Sequence, residues 1–146
     1  MGRPSLTSCS PIAVLRLTVS SAVLDASAIL ALLQGEPGAP VVQAAVQAGA
    51  ALGAVNLAEV ISKLAERGMA LPDIDSAVDG LALDIVPLDE ALARRIGALR
   101  PLTRSTGLSL GDRACLALAE HLGLPALTTD RQWAGPVPGI IVQVIR

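Results

Sequence analysis

The pattern of apolar and polar positions switches repeatedly along this chain between short apolar runs and helical spacing. Ala22-Val23-Leu24 is an apolar run ending at Asp25, after which the apolar positions of 26–33 recur at helical intervals until Gly35, with Pro37 just beyond. This predicts a strand, an acid at its end, then a helix. A second helix is expected over 40–47, closed by Gly49, and a strand over 51–55. Asn56 opens a strong helix over 56–67, with Leu57, Val60, Ile61 and Leu64 on one face and Gly68 as its stop. A weaker helix over 72–82 precedes a short strand over 84–87. Asp89 then caps a helix whose apolar stripe is Leu92, Ile96 and Leu99, ended by Pro101.

Residues 100–108 read as a polar loop. A nearly all-apolar helix carrying Asp112 in its first turn runs to Leu122 and stops at Gly123. A buried strand over 124–128 ends at Thr129-Asp130, and a turn or short helix is expected around Trp133. A Pro/Gly-rich linker over 135–139 and a last strand over 140–145 complete the order. Strands alternating with helices imply an α/β fold, three layers deep (α/β/α), with a central, mainly parallel sheet. Residues 1–20 have mixed polarity and no sustained period. They are expected to be an extension to one domain over 21–146, with Val19 an alternative start of translation.

Composition narrows this picture. A chain of 146 residues is long enough for one well-buried core. It is 52% hydrophobic with no Phe or Tyr and one Trp, so the core is aliphatic. No apolar run approaches the roughly 18 residues needed to cross a bilayer. Arg16 interrupts the only stretch resembling a signal-peptide core, so a cytoplasmic protein with no membrane partner is expected. The two cysteines, Cys9 and Cys115, form neither a disulfide framework nor a metal-ligand spacing. A net charge of −2 argues against a surface coated in phosphate-binding cations, and the lone Trp133 excludes a base-stacking platform. Any nucleic-acid chemistry must therefore sit in a pocket.

The acids supply one. Asp25 and Asp130 stand at the carboxyl ends of two strands, while Glu59 and Asp112 stand in the first turns of two helices, all at the sheet edge where such folds bind ligands. Four carboxylates together repel, and a divalent cation reverses that cost. Oxygen-only ligands suit Mg²⁺ or Mn²⁺, and phosphodiester hydrolysis is the matching chemistry. Each acid also has a purely local reading. Asn56 and Glu59 have capping-box spacing, with Lys63 one turn beyond Glu59; Ser109 and Asp112 share that spacing; Asp25 and Asp130 could each cap the next segment of chain. Only as a set do they argue for a site. His121 reads as a helix-end residue, and Arg94, Arg95, Arg100 and Arg104 as a solvated face or, alternatively, phosphate contacts. Arg113 is expected to orient Asp112 or pair with it.

Val23-Leu24-Asp25-Ala26-Ser27-Ala28, Val55-Asn56-Leu57-Ala58-Glu59-Val60, Leu108-Ser109-Leu110-Gly111-Asp112-Arg113 and Leu127-Thr128-Thr129-Asp130-Arg131 resemble, in order and spacing, the PIN-domain ribonucleases of the VapC toxin type. The resemblance implies a PIN-like nuclease domain that cuts RNA with Mg²⁺ or Mn²⁺. It further implies a cognate VapB-like antitoxin and a homodimer. It assigns Asp25, Glu59, Asp112 and Asp130 to the metal site, with Ser27, Asn56 and Thr128 in support. Asp25 and Asp112 are expected to ligate directly, and Glu59 and Asp130 through water or by positioning the nucleophile. Gln132 stands where some members carry a further acid, which argues against a second metal held wholly by protein. A phosphoacceptor domain is disfavoured because the sole lysine, Lys63, lies on the Glu59 helix, and an Asp-x-Asp phosphatase because Ser27 fills its second position. The remaining alternative is an inactive PIN-like module that works by binding a partner.

Overall fold

The computed structural model describes residues 20–133 and 137–146. Apart from Ser20, the expected extension lies outside the described residues, as do Cys9, Val19 and positions 135 and 136 of the expected linker. Among the described residues five strands form one sheet in the order β3-β2-β1-β4-β5, every pairing parallel: β1 (Val23–Leu24), β2 (Ala51–Gly53), β3 (Asp84–Val86), β4 (Ala126–Thr128) and β5 (Val142–Val144). Seven α-helices among the described residues surround it: α1 (Ala26–Gln34), α2 (Ala39–Gln47), α3 (Ala54–Glu66), α4 (Leu71–Asp79), α5 (Glu90–Ala98), α6 (Arg100–Thr103) and α7 (Leu110–Leu122). Short 3₁₀ turns lie at Arg104–Thr106 and Arg131–Trp133. This is the expected three-layer α/β/α architecture.

The core explains why the strands read as continuous apolar runs. Val23 pairs in register with Ala51 and Ala126, and Leu24 with Leu52 and Leu127. Because successive strand side chains point to opposite faces, the first row enters one core and the second row the other. Val23, Ala51 and Ala126 pack with Ile96, Leu99, Leu108, Trp133 and the Ala114–Ala119 stretch of α7. Leu24, Leu52 and Leu127 pack with Ile29, Val42, Val60, Leu64 and Ile74. Small Ala rows under α7 let that helix approach the sheet closely.

Several boundaries differ from the sequence reading, and two of the differences have a clear local reason. The strand expected over 51–55 stops at Gly53, which enters α3 with extended backbone and no side-chain cap, so Asn56 lies inside the helix rather than at its cap. Residues 100–106 are helical instead of a loop. Pro101 sits in the first turn of α6, where its missing N–H costs nothing, and buried Leu99, Thr103 and Leu108 anchor the segment. The last strand shortens to Val142–Val144. No described helix is long and apolar enough to cross a membrane.

Along the strand order, the chain builds β1, β2 and β3 outward in one direction and then returns to place β4 on the other flank of β1. Ligands of parallel sheets bind at such a switch point, outside the carboxyl strand ends. Asp25 comes directly after β1, and Thr128 ends β4, on the two sides of that point.

Candidate functional site

Asp25 is the most deeply set of the four acids, only 4% exposed. It caps α1: its Oδ1 accepts from the Ala28 N–H at 2.8 Å and from the Ser27 hydroxyl at 2.7 Å. Its Oδ2 accepts from the Thr128 hydroxyl at 2.6 Å, a bond that spans the switch point. Burial drives its pKa up to about 6 even though the bonds from Thr128, Ser27 and Ala28 favour the charged form; the neighbouring Asp112 charge adds to the rise. The side chain is therefore strongly held yet disfavoured as an anion.

Glu59 and Asp112 face each other from α3 and α7. Inside the first turns of α3, the buried Asn56 donates both amide protons, one to Glu59 Oε1 at 3.1 Å and one to the Gly111 carbonyl at 3.0 Å. Gly111 is buried, and a Cβ there would lie 2.6 Å from Glu59 Cδ and 3.0 Å from Oε2. Glu59 thus rests against bare α7 backbone. Its pKa is raised, first by burial and further by Asp112, against the pull of Asn56 and Lys63. Asp112 completes a capping box: Ser109 Oγ accepts from the Asp112 N–H at 3.1 Å, and Asp112 Oδ2 accepts from the Ser109 N–H at 2.9 Å.

Cys115, buried one turn further along α7, locates the group. Burial pushes its thiol well above the ordinary range, and the charges of Asp25, Asp112 and Glu59 each push it further. Asp25 directly after β1, Glu59 on α3 and Asp112 on α7 are thus all within electrostatic reach of Cys115. Asp130 joins through hydrogen bonds instead: its N–H donates to Thr128 Oγ1 at 3.0 Å, while the Thr129 N–H donates to Ser27 Oγ at 3.0 Å. Asp130 Oδ1 in turn accepts from the Gln132 N–H, a local turn.

Arg113 does not turn to Asp112; its guanidinium donates to the Ile96 carbonyl at 3.0 Å, tying α7 to α5. Arg95 forms a two-pronged pair with Glu120, and Arg94 pairs with Glu90, so both belong to a solvated face. His121 lines a cavity of about 170 Å³ between α5 and α7 that none of the four acids lines. Gly111 has no role in the sequence reading, although a glycine early in an otherwise apolar helix is a signal for one.

The donor set suits a hard divalent cation: all oxygens, anionic, and with Asp25 and Glu59 raised partly by a like charge that a cation would offset. Among the described residues no three His, Cys, Asp or Glu side chains stand close enough to grip one ion directly.

The sequence matches the PIN domain family over residues 22–135. The chain belongs to the PIN-domain family. Its fold is similar to a toxin-antitoxin complex from Klebsiella pneumoniae, at 24% identity and TM-score 0.63, covering 83% of this chain and 96% of that one. It is also similar to DNA-bound VapBC from Salmonella typhimurium, at 20% identity and TM-score 0.66, over 85% and 97% of the two chains. A third likeness is VapBC2 from Rickettsia felis bound to a promoter DNA fragment, at 15% identity and TM-score 0.66, over 84% and 96%. No protein of curated function matches the sequence. PIN domains are generally nucleases. In this PIN domain the family match takes in all four acids, and the capping bonds of Asp25, Asp112 and Asp130 coexist with their place at the edge.

Proposed function

We propose that this PIN domain is a Mg²⁺- or Mn²⁺-dependent endoribonuclease, the toxin of a type II, VapBC-like toxin-antitoxin system, acting in the cytoplasm, with residues 21–146 as the nuclease unit and 1–20 an extension. The observation that carries the reading is the placement of Asp25 at the switch point, bonded across it to Thr128, with the Glu59 carboxyl seated on Gly111 next to Asp112. Asp25 and Asp112 would hold the cation, with Asp25 oriented by Ser27 and Thr128. A cation bound there acidifies water and neutralises charge developing on the scissile phosphate. Glu59 would contact the cation through a bound water and take that water's proton, and Asp130 would orient the water from the β4 side. Displacement of the ribose 3′ oxygen then needs no protein nucleophile.

The proposed partners are RNA, a VapB-like antitoxin and a second copy of the chain. The toxin-antitoxin assemblies among the similar structures support the second. A second reading is an inactive module that works by partner binding, which the toxin-antitoxin assemblies among the similar structures also support. The test is cleavage of RNA by the purified protein. Cutting with Mg²⁺ or Mn²⁺ that stops with EDTA and with Asp25→Asn or Asp112→Asn supports the nuclease. Wild-type protein that cuts no RNA and leaves growth unaffected on induced expression favours the module.

A further inference from the structure

Glu59 is the one acid of the group that does not cap its own segment, so something else must fix its carboxylate. Two features do so. The Asn56 side chain, 1% exposed, spends both amide protons on a bridge between Glu59 Oε1 and the Gly111 carbonyl. The space that any side chain at 111 would occupy is filled by the Glu59 carboxyl group itself. We propose that Asn56 and Gly111 form a seat that positions Glu59 for the cation site. The missing Cβ of Gly111 lets the carboxylate lie on α7 beside Asp112, and Asn56 occupies Oε1 so that Oε2 is left for the site. Among the described residues Oε2 accepts no hydrogen bond.

The choice of residues is explained by this geometry. Asparagine reaches two acceptors because its amide carries two protons, and a serine or aspartate at 56 would lose at least one of them. Glycine early in α7 is less favourable for the helix than alanine by about 1 kcal/mol, a cost the seat explains. Its neighbour Asp112 moves with the same backbone, so any shift of α7 that relieved a clash at 111 would also change the spacing of Glu59 and Asp112.

The inference rests on the nuclease reading, and a double-mutant cycle separates the two. Mn²⁺ binding by calorimetry and denaturant stability are measured on the full chain for wild type, Gly111→Ala, Asn56→Ala, Glu59→Ala and Gly111→Ala/Glu59→Ala. Altering a residue that orients a ligand costs about 10- to 100-fold in metal affinity. Gly111→Ala and Asn56→Ala are expected to weaken Mn²⁺ at least tenfold. In the Glu59→Ala background Gly111→Ala should change affinity less than twofold and should raise stability, because the methyl group then has room. Additive effects, or Gly111→Ala lowering stability equally in both backgrounds, would overturn the seat. Wild type that binds no Mn²⁺ would overturn the nuclease reading, and the stability arm alone would then decide whether the seat exists.

Discussion

Replacing Asp25 with asparagine gives the sharpest test of the site, because one side chain carries both the cost and the proposed function. Burial raises the Asp25 pKa from 3.8 to about 6 in the folded chain. The folded state therefore binds the proton more tightly than the unfolded state. Between those two values it holds more protons, so stability falls as pH rises through the window and the full penalty is present above pH 6. At neutral pH the ionised carboxylate costs about 3 kcal/mol relative to the unfolded chain, equivalent to roughly 10 °C in Tm for a domain of this size. The raised Glu59 contributes in the same direction. The exposed Arg95–Glu120 pair, with Glu120 lowered, works in the opposite direction but is common to both proteins and cancels in the comparison. Asp25→Asn removes the titration but also weakens the charge-assisted bonds from Ser27, Thr128 and Ala28, worth about 1 to 3 kcal/mol. The absolute stabilities can thus fall in either order, and the pH slope is the observable. Urea unfolding at pH values from about 4 to 7.5 without divalent cation should show wild type losing about 3 kcal/mol more than the variant. Millimolar Mn²⁺ at neutral pH should raise the wild-type Tm and leave the variant unmoved. Parallel pH slopes for the two proteins would refute the argument.

Thr128→Val removes the donor to Asp25 Oδ2 and the acceptor for the Asp130 N–H, so it should cost about 2 kcal/mol in chemical denaturation and sharply reduce RNA cutting. Ser109→Ala breaks the capping box of α7 and should cost about 1 kcal/mol by the same measurement. Arg95→Gln, which breaks a pair exposed to solvent, should change stability by less than about 1 kcal/mol and leave RNA cutting at the wild-type rate. Ala82, whose φ of +50° is left-handed, should tolerate glycine with a Tm equal to or above wild type, since relief of the strained backbone offsets the added chain entropy.

The sheet edge is legible in the sequence because the switch from apolar run to helical spacing at Asp25 and the run ending at Thr128 are local signals, and parallel topology turns both into carboxyl ends. The register that puts Val23, Ala51 and Ala126 in one row is not legible, since a two-residue or three-residue strand carries no period of its own. Asn56 reads as a cap because its spacing to Glu59 is the capping-box spacing. Gly53 satisfies the backbone entry instead, and only the packing of α3 against α7 tells where the amide points. The helical turn at Arg100–Thr103 is hidden by Pro101, which both ends one helix and opens another. Arg113 adjoins Asp112 in sequence, yet successive helical residues lie about 100° apart, so its side chain is free to find the Ile96 carbonyl.

Capping and cation binding are compatible here because a carboxylate has about four lone-pair positions and the fold uses only part of them. Among the described residues, Asp112 uses Oδ2 for the Ser109 N–H, Asp130 uses Oδ1 for the Gln132 N–H, and Glu59 uses Oε1 for Asn56, leaving one oxygen of each without a hydrogen-bond donor. Asp25, the most buried, has both oxygens engaged, but its three bonds leave about one lone-pair position on Oδ2. The hydrogen bonds aim the carboxylates, while the oxygens they leave bare remain for water or a cation. A residue that looks in sequence like an ordinary cap is thereby held in a fixed rotamer, and on the proposed function the cap would be the means of preorganising the site rather than an alternative to it.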